Sequence, residues 1–272
     1  MPTIESSSGH IHYVDSGAGV PLLQVHGYTG NLNNWSTLNA ELDSTWRTIA
    51  LDLPGHGHSA VPLQPQDYDL DALAESVHQL VSALDIGPFY LIGHSMGGMV
   101  AQHFALAHAD LLRGLVLVDT SATMPNLSRM EERRRLIEIA RDEGMEAAFE
   151  AQLLGMQLSA RLQANPELIA AWRQEFLLTS REAYVYCAVA IARRRPILDQ
   201  LASLQLPTLI VVGELDEPFL EPSFVLQDTI AGSRLVVMEG CNHTPFVEKP
   251  PEFAAVLQEF LATLQAGTPG RA

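Results

Sequence analysis

The stretch FYLIGHSMGG, residues 89–98, joins a short apolar run to a serine that stands between glycines. The apolar run predicts a strand, and the residues after the glycines predict a helix that begins at once. A serine on such a sharp strand-to-helix turn has a strained backbone and an exposed hydroxyl. Gly93 and Gly97 leave room for the turn, and the helix N-terminus favours negative charge that develops beside it. The stretch therefore predicts that Ser95 is a nucleophile.

Further strands are predicted on both sides of this stretch by apolar runs that end at turn residues. They fall at residues 10–15, 21–26, 46–52, 115–118, 209–212 and 235–238. Residues 68–84 have helical spacing, and residues 251–264 predict a closing helix with proline in its first turn. Strands that alternate with helices predict an α/β fold, with a mostly parallel sheet flanked by helices.

The sequence resembles the α/β-hydrolase superfamily in several motifs, which follow one another in the family's order. The motifs are HGYTG (26–30), DLPGHGHS (52–59), GHSMGG (93–98), GELD (213–216) and a late His243. Together they span most of the chain. The resemblance implies the α/β-hydrolase fold, with a core domain formed by residues 1–120 and 197–272. It also implies an inserted helical cap, or lid, at residues 121–196.

A serine nucleophile needs a base within hydrogen-bond reach and a carboxylate that orients the base. Asp216 and His243 each follow a predicted strand late in the chain, so both should lie at the same edge of the sheet as Ser95. The family's order of serine, acid and histidine assigns the carboxylate to Asp216 and the base to His243. Asp119 also ends a predicted strand, at a position that some family members use, and stays open as an alternative acid.

The resemblance also implies where the oxyanion and the substrate bind. The oxyanion hole would use the backbone amides of Tyr28 and Met96, and Gly27 would let the backbone approach the substrate. The cap holds four of the chain's eight methionines, whose flexible side chains suit varied apolar ligands. The predicted substrate-binding methionines are Met124, Met145 and Met156. The alternative is that methionine only fills gaps in the packing of the helices.

Composition argues against several classes of partner. The net charge of −16 repels nucleic acid and anionic membranes, and no apolar stretch is long enough to predict a membrane span. The first ten residues lack the pattern of a signal peptide, and Cys187 and Cys241 are expected to be free thiols. We therefore expect a cytoplasmic protein whose partner is a small-molecule ester or lactone; a homodimer is left open.

No set of residues has the spacing of a metal or cofactor site, so we expect neither a metal nor a cofactor. His10 and His12 alternate on a predicted strand without the Asp-His that would follow in a metallo-lactonase motif, and we expect both at the surface. His26 is expected to brace its own loop.

The cap segment differs from the rest of the chain in its charge. It holds 11 of the 16 basic residues, among them the arginine triplets 133–135 and 193–195. Three accounts are open: solvated arginines that pair with neighbouring acids, docking of the cap on the acidic core, or recognition of a substrate carboxylate. The first account is favoured, because the segment has nearly as many acids as arginines.

The stretches GHSMGGMVAQ (93–102) and LVLVDTSA (115–122) resemble carboxylesterases, acyl-lactone hydrolases and enol-lactonases. The serine argues against haloalkane dehalogenases and soluble epoxide hydrolases, which need aspartate there. The predicted function is a serine hydrolase that cleaves carboxylic esters or lactones, including N-acyl homoserine lactones, through an acyl-enzyme. The alternatives are a 3-oxoadipate enol-lactonase-like or C–C bond hydrolase and, in another class, a ligand-binding receptor with little turnover.

Overall fold

The computed structural model describes residues 1–124, 127–155 and 163–266 of the chain. Its centre is a sheet of eight strands. In chain order the strands are β1 (Thr3–Ser6), β2 (Gly9–Ser16), β3 (Val20–Val25), β4 (Trp46–Leu51), β5 (Phe89–His94), β6 (Leu112–Val118), β7 (Thr208–Gly213) and β8 (Arg234–Met238).

The strands follow the order β1-β2-β4-β3-β5-β6-β7-β8 across the sheet. The pairs β1–β2 and β2–β4 are antiparallel, and the pairs from β4 to β8 are parallel. The predicted α/β fold with a mostly parallel sheet is confirmed. The sequence analysis did not predict β1, because this four-residue edge strand is only half-buried or exposed and has no apolar run.

Helices cover both faces of the sheet. They are α1 (Ser36–Glu41), α2 (Leu70–Ala83), α3 (Met96–Ala107), α4 (Leu127–Asp142), α5 (Met145–Leu154), α6 (Pro166–Phe176), α7 (Arg181–Arg193), α8 (Leu198–Leu201), α9 (Glu217–Thr229), α10 (Pro245–Glu248) and α11 (Pro250–Ala266). Short 3₁₀ turns occur at Leu32–Trp35, Pro65–Tyr68 and Ala109–Leu111. None of the described helices has both the length and the apolar composition needed to cross a membrane.

The two faces of the sheet bury separate apolar clusters. Along β3, Leu22 belongs to one cluster and Leu23 to the other, and along β5 the same holds for Tyr90 and Leu91. This division follows from the strand geometry, because successive side chains point to opposite faces. All six residues of β5 are buried, so the strand that leads to Ser95 is held rigidly from both sides.

Between β6 and β7 the described chain runs through helices α4 to α8. Helix α4 packs against α5 and α7. Phe149, Phe176 and Tyr184 of these helices are buried, and they belong to the same apolar cluster as Leu23 and Leu91. Continuous apolar packing therefore joins this segment to one face of the sheet. The assignment of residues 121–196 to a separate cap stays a prediction.

Candidate active site

Ser95 lies on the turn between β5, which ends at His94, and α3, which begins at Met96. Its backbone has φ 52° and ψ −114°, a region that residues other than glycine rarely adopt. A Cβ atom at Gly93 would lie 2.3 Å from the carbonyl oxygen of Gly97, and one at Gly97 would lie 2.3 Å from a carbonyl oxygen of β3. The turn therefore requires glycine on both sides of the serine.

Ser95, His243 and Asp216 form one chain of hydrogen bonds. Oγ of Ser95 lies 3.1 Å from Nε2 of His243, and Nδ1 of His243 lies 2.7 Å from Oδ2 of Asp216. An Nδ1–H that donates to the carboxylate leaves Nε2 able to accept the serine proton. This arrangement can raise the nucleophilicity of the serine oxygen.

The loop that carries His243 is held by two groups that the sequence analysis did not assign to the site. Nε2–H of His94 donates to the carbonyl oxygen of His243 over 2.7 Å, and burial lowers the pKa of His94 to about 3, so its ring is neutral. The buried Glu248 carboxylate accepts from the amides of Asn242 and Thr244, each at 3.0 Å. The role of His94 leaves no local signal, because its contact joins residues that are far apart in the chain, whereas Glu248 binds amides only four and six residues before it.

An aromatic ring also packs against the base. The ring of Phe219 stacks on that of His243, with centroids 4.9 Å apart and 25° between the planes. The guanidinium carbon of Arg129, on α4, lies 4.5 Å from the centroid of Phe219. The helical segment between β6 and β7 is therefore linked to His243 through one intervening ring.

The two candidate acids, Asp216 and Asp119, differ in their electrostatics. Burial alone would raise the pKa of Asp216, but the attraction of His243 and the hydrogen bond from its ring hold that pKa below its ordinary value. Burial raises the pKa of Asp119 well above its ordinary value, and the charge of Asp216 raises it further. The pKa shifts of the two acids therefore have opposite directions, and Asp216 is the acid whose ionised form His243 stabilises.

The contacts of Asp119 differ from those of Asp216. Its Oδ1 accepts from the amide of Gly213 over 2.9 Å, and φ at Asp119 is 45°. A carboxyl oxygen of Asp119 lies within 4.8 Å of one of Asp216 and of a ring nitrogen of His243. The structure thus brings both acids to the site but places only Asp216 in hydrogen-bond contact with His243.

Backbone amides are available beside Ser95 for an oxyanion. Met96 is the first residue of α3, and amides in a first helical turn have no intrahelical acceptor. Tyr28 lines the cavity that contains Ser95. At Gly27, a Cβ atom would lie 2.8 Å from Nδ1 of His94 and 3.3 Å from Cβ of Ser95. This crowding requires glycine at position 27. The oxyanion roles of Tyr28 and Met96 stay predictions.

Other histidines bind loops of the core. Nδ1 of His12 lies 2.7 Å from Oδ2 of Asp52, and both residues are buried, so the predicted surface position of His12 is wrong, whereas His10 is exposed. Nε2 of His26 accepts from the amide of Leu53 over 3.0 Å, and burial lowers the pKa of His26 to about 3. His26 therefore braces its loop as a neutral ring, as expected.

The cavity over Ser95 is narrow, with a volume of about 40 Å³. Its lining residues are Tyr28, Ser95, Met99, Arg129, Met130, Arg133, Ala188, Ile191, Ala192, Arg194 and Phe219. Of the predicted substrate-binding methionines, Met124 is exposed, Met145 packs against the apolar core, and neither lines this cavity. Met156 lies outside the described residues. The methionines that line the cavity are Met99 and Met130.

Three of the lining residues are arginines from the segment between β6 and β7. Each arginine triplet contributes one of them, Arg133 and Arg194, while the remaining members at 134, 135, 193 and 195 are exposed. The exposed members fit the solvated part of the favoured account, although Arg195 pairs with the distant Asp71 and not with a neighbouring acid, whereas Arg133 and Arg194 line the cavity. Periodicity explains the difference, since neighbouring residues of a helix point in different directions.

Comparison with known proteins assigns the chain to a family. Residues 20–250, most of the chain, match the family model described as the alpha/beta hydrolase fold. The chain belongs to the alpha/beta hydrolase family. The strand order of its sheet and the serine on the turn after β5 are the structural basis of this membership.

Several relatives of this hydrolase resemble it over almost their whole length. The 2-hydroxymuconate semialdehyde hydrolase of Pseudomonas sp. (strain CF600) is 30% identical, and the match covers 93% of this chain and 90% of that protein. A malate-bound thermophilic esterase from Thermogutta terrifontis is 32% identical with a TM-score of 0.87, over 97% of this chain and 98% of that chain. The enol-lactonase from Burkholderia xenovorans LB400 is 26% identical with a TM-score of 0.88, over 96% of this chain and 100% of that chain. These relatives support a hydrolase but differ in the bond they cleave.

Two groups of described residues in this hydrolase place three potential metal-ligand atoms within 4.8 Å of one another. The first group is Asp119, Asp216 and His243, in which the His243 ring nitrogens already face Ser95 and Asp216. The second group is Glu75, His78 and His108, where the two imidazole rings stack at 4.0 Å. The expectation that no metal or cofactor is needed stays a prediction.

Proposed function

We propose that this protein is a serine hydrolase that cleaves carboxylic esters or lactones through an acyl-enzyme. The observation that carries the proposal is the chain of hydrogen bonds from Ser95 through His243 to Asp216. The ionised Asp216 would stabilise the imidazolium that forms when His243 takes the serine proton. Ser95 lines a narrow cavity, through which a substrate would have to reach it.

In the proposed acylation step, Oγ of Ser95 attacks the substrate carbonyl while Nε2 of His243 accepts the hydroxyl proton. The carbonyl oxygen becomes an oxyanion, which the amides of Met96 and Tyr28 would hold. His243 then returns the proton to the leaving oxygen as the carbon–oxygen bond breaks. With an ester this releases an alcohol, whereas with a lactone the hydroxyl stays on the acyl group bound to Ser95.

In the proposed deacylation step, the same groups act on water. His243 takes a proton from a water molecule, which attacks the acyl carbonyl, and the oxyanion forms again at the same amides. His243 then gives the proton to Oγ of Ser95 as the acid product leaves. The cycle restores the neutral serine and histidine, so it needs no metal or cofactor.

The proposal is tested by covalent labelling of the nucleophile. We expect p-nitrophenyl butyrate to be hydrolysed and a fluorophosphonate probe to label one site, which peptide mass spectrometry locates at Ser95. Prior labelling should abolish ester turnover. Labelling elsewhere, or turnover that persists after complete labelling of Ser95, would refute the proposal.

Hydrolysis of a C–C bond is the second candidate. It is favoured by the 30% identity to the 2-hydroxymuconate semialdehyde hydrolase, which covers 93% of this chain. A panel of a p-nitrophenyl ester, an N-acyl homoserine lactone, an enol-lactone and 2-hydroxymuconate semialdehyde distinguishes the reactions. We expect the largest kcat/KM on an ester or lactone. A larger value on the semialdehyde would place the protein with the C–C hydrolases.

A receptor with little turnover is less well supported, because ligand binding alone requires none of the contacts among Ser95, His243 and Asp216. We place the protein in the cytoplasm, since Cys187 and Cys241 are both buried free thiols, as is usual in a reducing compartment. Its partner in this proposal is the small-molecule ester or lactone itself, and gel filtration would show whether the chain also forms a homodimer.

A further inference from the structure

The cavity over Ser95 concentrates positive charge although the chain as a whole is acidic. Arg129, Arg133 and Arg194 line the cavity, and none of its described lining residues is an aspartate or glutamate. The net charge of the chain is −16, with twice as many acidic as basic residues. The cavity lining therefore has the opposite sign of charge to the molecule as a whole.

Arg194, which directly follows α7, is fixed in place and largely desolvated. Its Nη1 donates to the carbonyl oxygen of Ile191 over 2.6 Å, and its Nη2 donates to that of Thr123. Its Nε is buried with no hydrogen-bond partner in the described part of the chain. Burial, together with the charges of Arg129 and Arg133, lowers the pKa of Arg194 to about 10. The guanidinium group is therefore still charged at neutral pH.

Arg133 approaches the same cavity from α4. Its guanidinium carbon lies 4.5 Å from the ring centroid of Tyr28, whose amide is the second proposed oxyanion donor. Within the described residues, neither Arg133 nor Arg194 forms an ion pair. The ion pairs of this segment involve other arginines, Arg173 with Glu146 and Arg195 with Asp71.

Two acids act on this group of arginines from outside the cavity lining. Burial lowers the pKa of Arg129, and Asp216 and Glu132 oppose that change through their charges. Asp216 is bound to His243, and Glu132 is exposed to solvent. The charges of Arg133 and Arg194 are therefore not neutralised inside the cavity, where a desolvated charge without a partner is costly.

We infer that the substrate carries a carboxylate, which Arg133 and Arg194 bind while the ester or lactone carbonyl lies at Ser95. This inference rests on the proposed function and narrows its substrate class to half-esters of dicarboxylic acids and carboxylated lactones. A guanidinium group suits a carboxylate because its N–H donors pair with both oxygens. A neutral ester would bring no opposite charge to either arginine.

The first test compares mono-p-nitrophenyl glutarate with p-nitrophenyl hexanoate, a neutral ester of similar length. We expect kcat/KM to be about 10- to 100-fold higher for the glutarate ester, since a hydrogen bond to a charged group contributes on that scale. The preference should shrink in high salt. Equal values for the two esters would overturn the inference.

The second test uses matched arginine variants. Arg133→Gln and Arg194→Gln should each lower kcat/KM for the glutarate ester about tenfold and change that for the hexanoate ester less than threefold. The exposed neighbours provide controls, since Arg134→Gln and Arg193→Gln should alter neither ester. An equal loss in the controls would show that the positive charge of the surface as a whole attracts the carboxylate, and it would overturn the assignment of the carboxylate site to Arg133 and Arg194. If Arg194→Gln unfolds, Arg133→Gln decides the question alone.

A binding measurement separates this inference from the proposed function. Calorimetry should detect binding of glutarate to the Ser95→Ala variant. Glutarate should bind more weakly after the additional change Arg133→Gln. Inorganic phosphate at the same concentration should bind Ser95→Ala more weakly than glutarate does. Phosphate that binds as well as glutarate, or no glutarate binding, would overturn the carboxylate site. Ser95-dependent hydrolysis of both esters without a preference would refute only this inference, whereas no hydrolysis of either would refute the proposed function.

Discussion

The core and the helical segment between β6 and β7 contribute to one cavity in different ways. In the core, Ser95, His243 and Asp216 stand in loops at the ends of parallel strands, and each is hydrogen-bonded to another of the three. In the helical segment, Arg133 and Arg194 face the cavity without an ion pair among the described residues. The three polar side chains of the core therefore bind one another, whereas the two arginines of the helical segment have positive charges that an anionic ligand could neutralise.

Under our two proposals, this contrast would separate the residues that carry out the reaction from those that select the substrate. Groups that move protons must keep fixed distances, and strands buried on both faces supply that rigidity. Groups that bind a distant part of the substrate need a less exact position. Helices that are joined to the core only by side-chain packing can position such groups. Changes in the core should thus remove turnover of every substrate, while changes in the helical segment should alter which substrates are preferred. The following predictions test this division, from the largest expected effect to the smallest.

The largest effect is expected from Ser95→Ala. It removes the nucleophile, so kcat should fall by about 10⁶-fold for neutral and carboxylated esters alike. Circular dichroism and thermal unfolding should match the wild type, and the exposed Ser82→Ala serves as a control with normal activity. Turnover near that of the wild type would show that the reaction does not pass through this serine.

Asp216→Asn should rank second. The amide can no longer stabilise a protonated His243, and it favours the wrong ring tautomer, so kcat should fall by roughly 10⁴-fold. Asp228→Asn, an exposed position on α9, is the matched control. Steady-state kinetics on both ester types should show the same proportional loss. A loss confined to carboxylated esters would contradict the division between reactivity and selection.

Asp119→Asn tests whether the second buried acid is needed in its ionised form. Asparagine can still accept from the Gly213 amide and can donate to Asp216, so we expect kcat within about tenfold of the wild type. Because the folded state raises the pKa of Asp119, the wild type loses stability as the pH rises above the pKa of the unfolded chain. Asparagine does not ionise, so the variant should unfold at a higher temperature than the wild type at neutral pH. A fall as large as that of Asp216→Asn would make Asp119 the orienting acid.

The smallest effect concerns the contact between the helical segment and the core. Burial raises the pKa of Glu175, on α6, to about 7, although its carboxylate accepts from the Asn34 side chain. The folded state therefore holds this proton more tightly than the unfolded chain, and stability falls as the pH rises from about 4.5 to about 7.

Glu175→Gln should remove the loss of stability between about pH 4.5 and about pH 7. Its melting temperature should equal that of the wild type near pH 4.5 and exceed it by roughly 1–3 °C at pH 8, because Glu175 is partly solvated. The exposed Glu167→Gln on the same helix should show no such pH dependence. Hydrolysis of p-nitrophenyl hexanoate should be unchanged. A variant that is less stable than the wild type at pH 8 would contradict the assignment.

The sequence alone was sufficient for the parts of the site that depend on the ends of strands. Gly93 and Gly97 mark the turn at Ser95, since a Cβ at either glycine would clash with backbone atoms. Asp216 and His243 follow apolar runs, and the ends of parallel strands meet at one edge of the sheet. Local patterns are enough here because the backbone itself carries these residues to the site.

Contacts between distant segments were decided only by the tertiary structure. Asp119 and Asp216 both follow neighbouring strands, and only the packed loops show that Asp216 reaches His243 while Asp119 binds the Gly213 amide. His94, which supports the His243 loop through the carbonyl oxygen of His243, likewise acts across the fold. No local pattern distinguishes such residues from others of the same type.

The helical segment shows the same limit. Its sequence predicts helices rich in arginine, but a helix presents several faces, and the period of 3.6 residues does not say which face meets the cavity. Arg133 and Arg194 turn inward, whereas the arginines beside them in sequence are exposed, and Met130 rather than Met124 reaches the cavity. Sequence thus indicated the proposed reactive residues, because backbone geometry brings them together. Packing between segments decided which helical side chains line the cavity, because burial of one face of a helix determines where its other faces point.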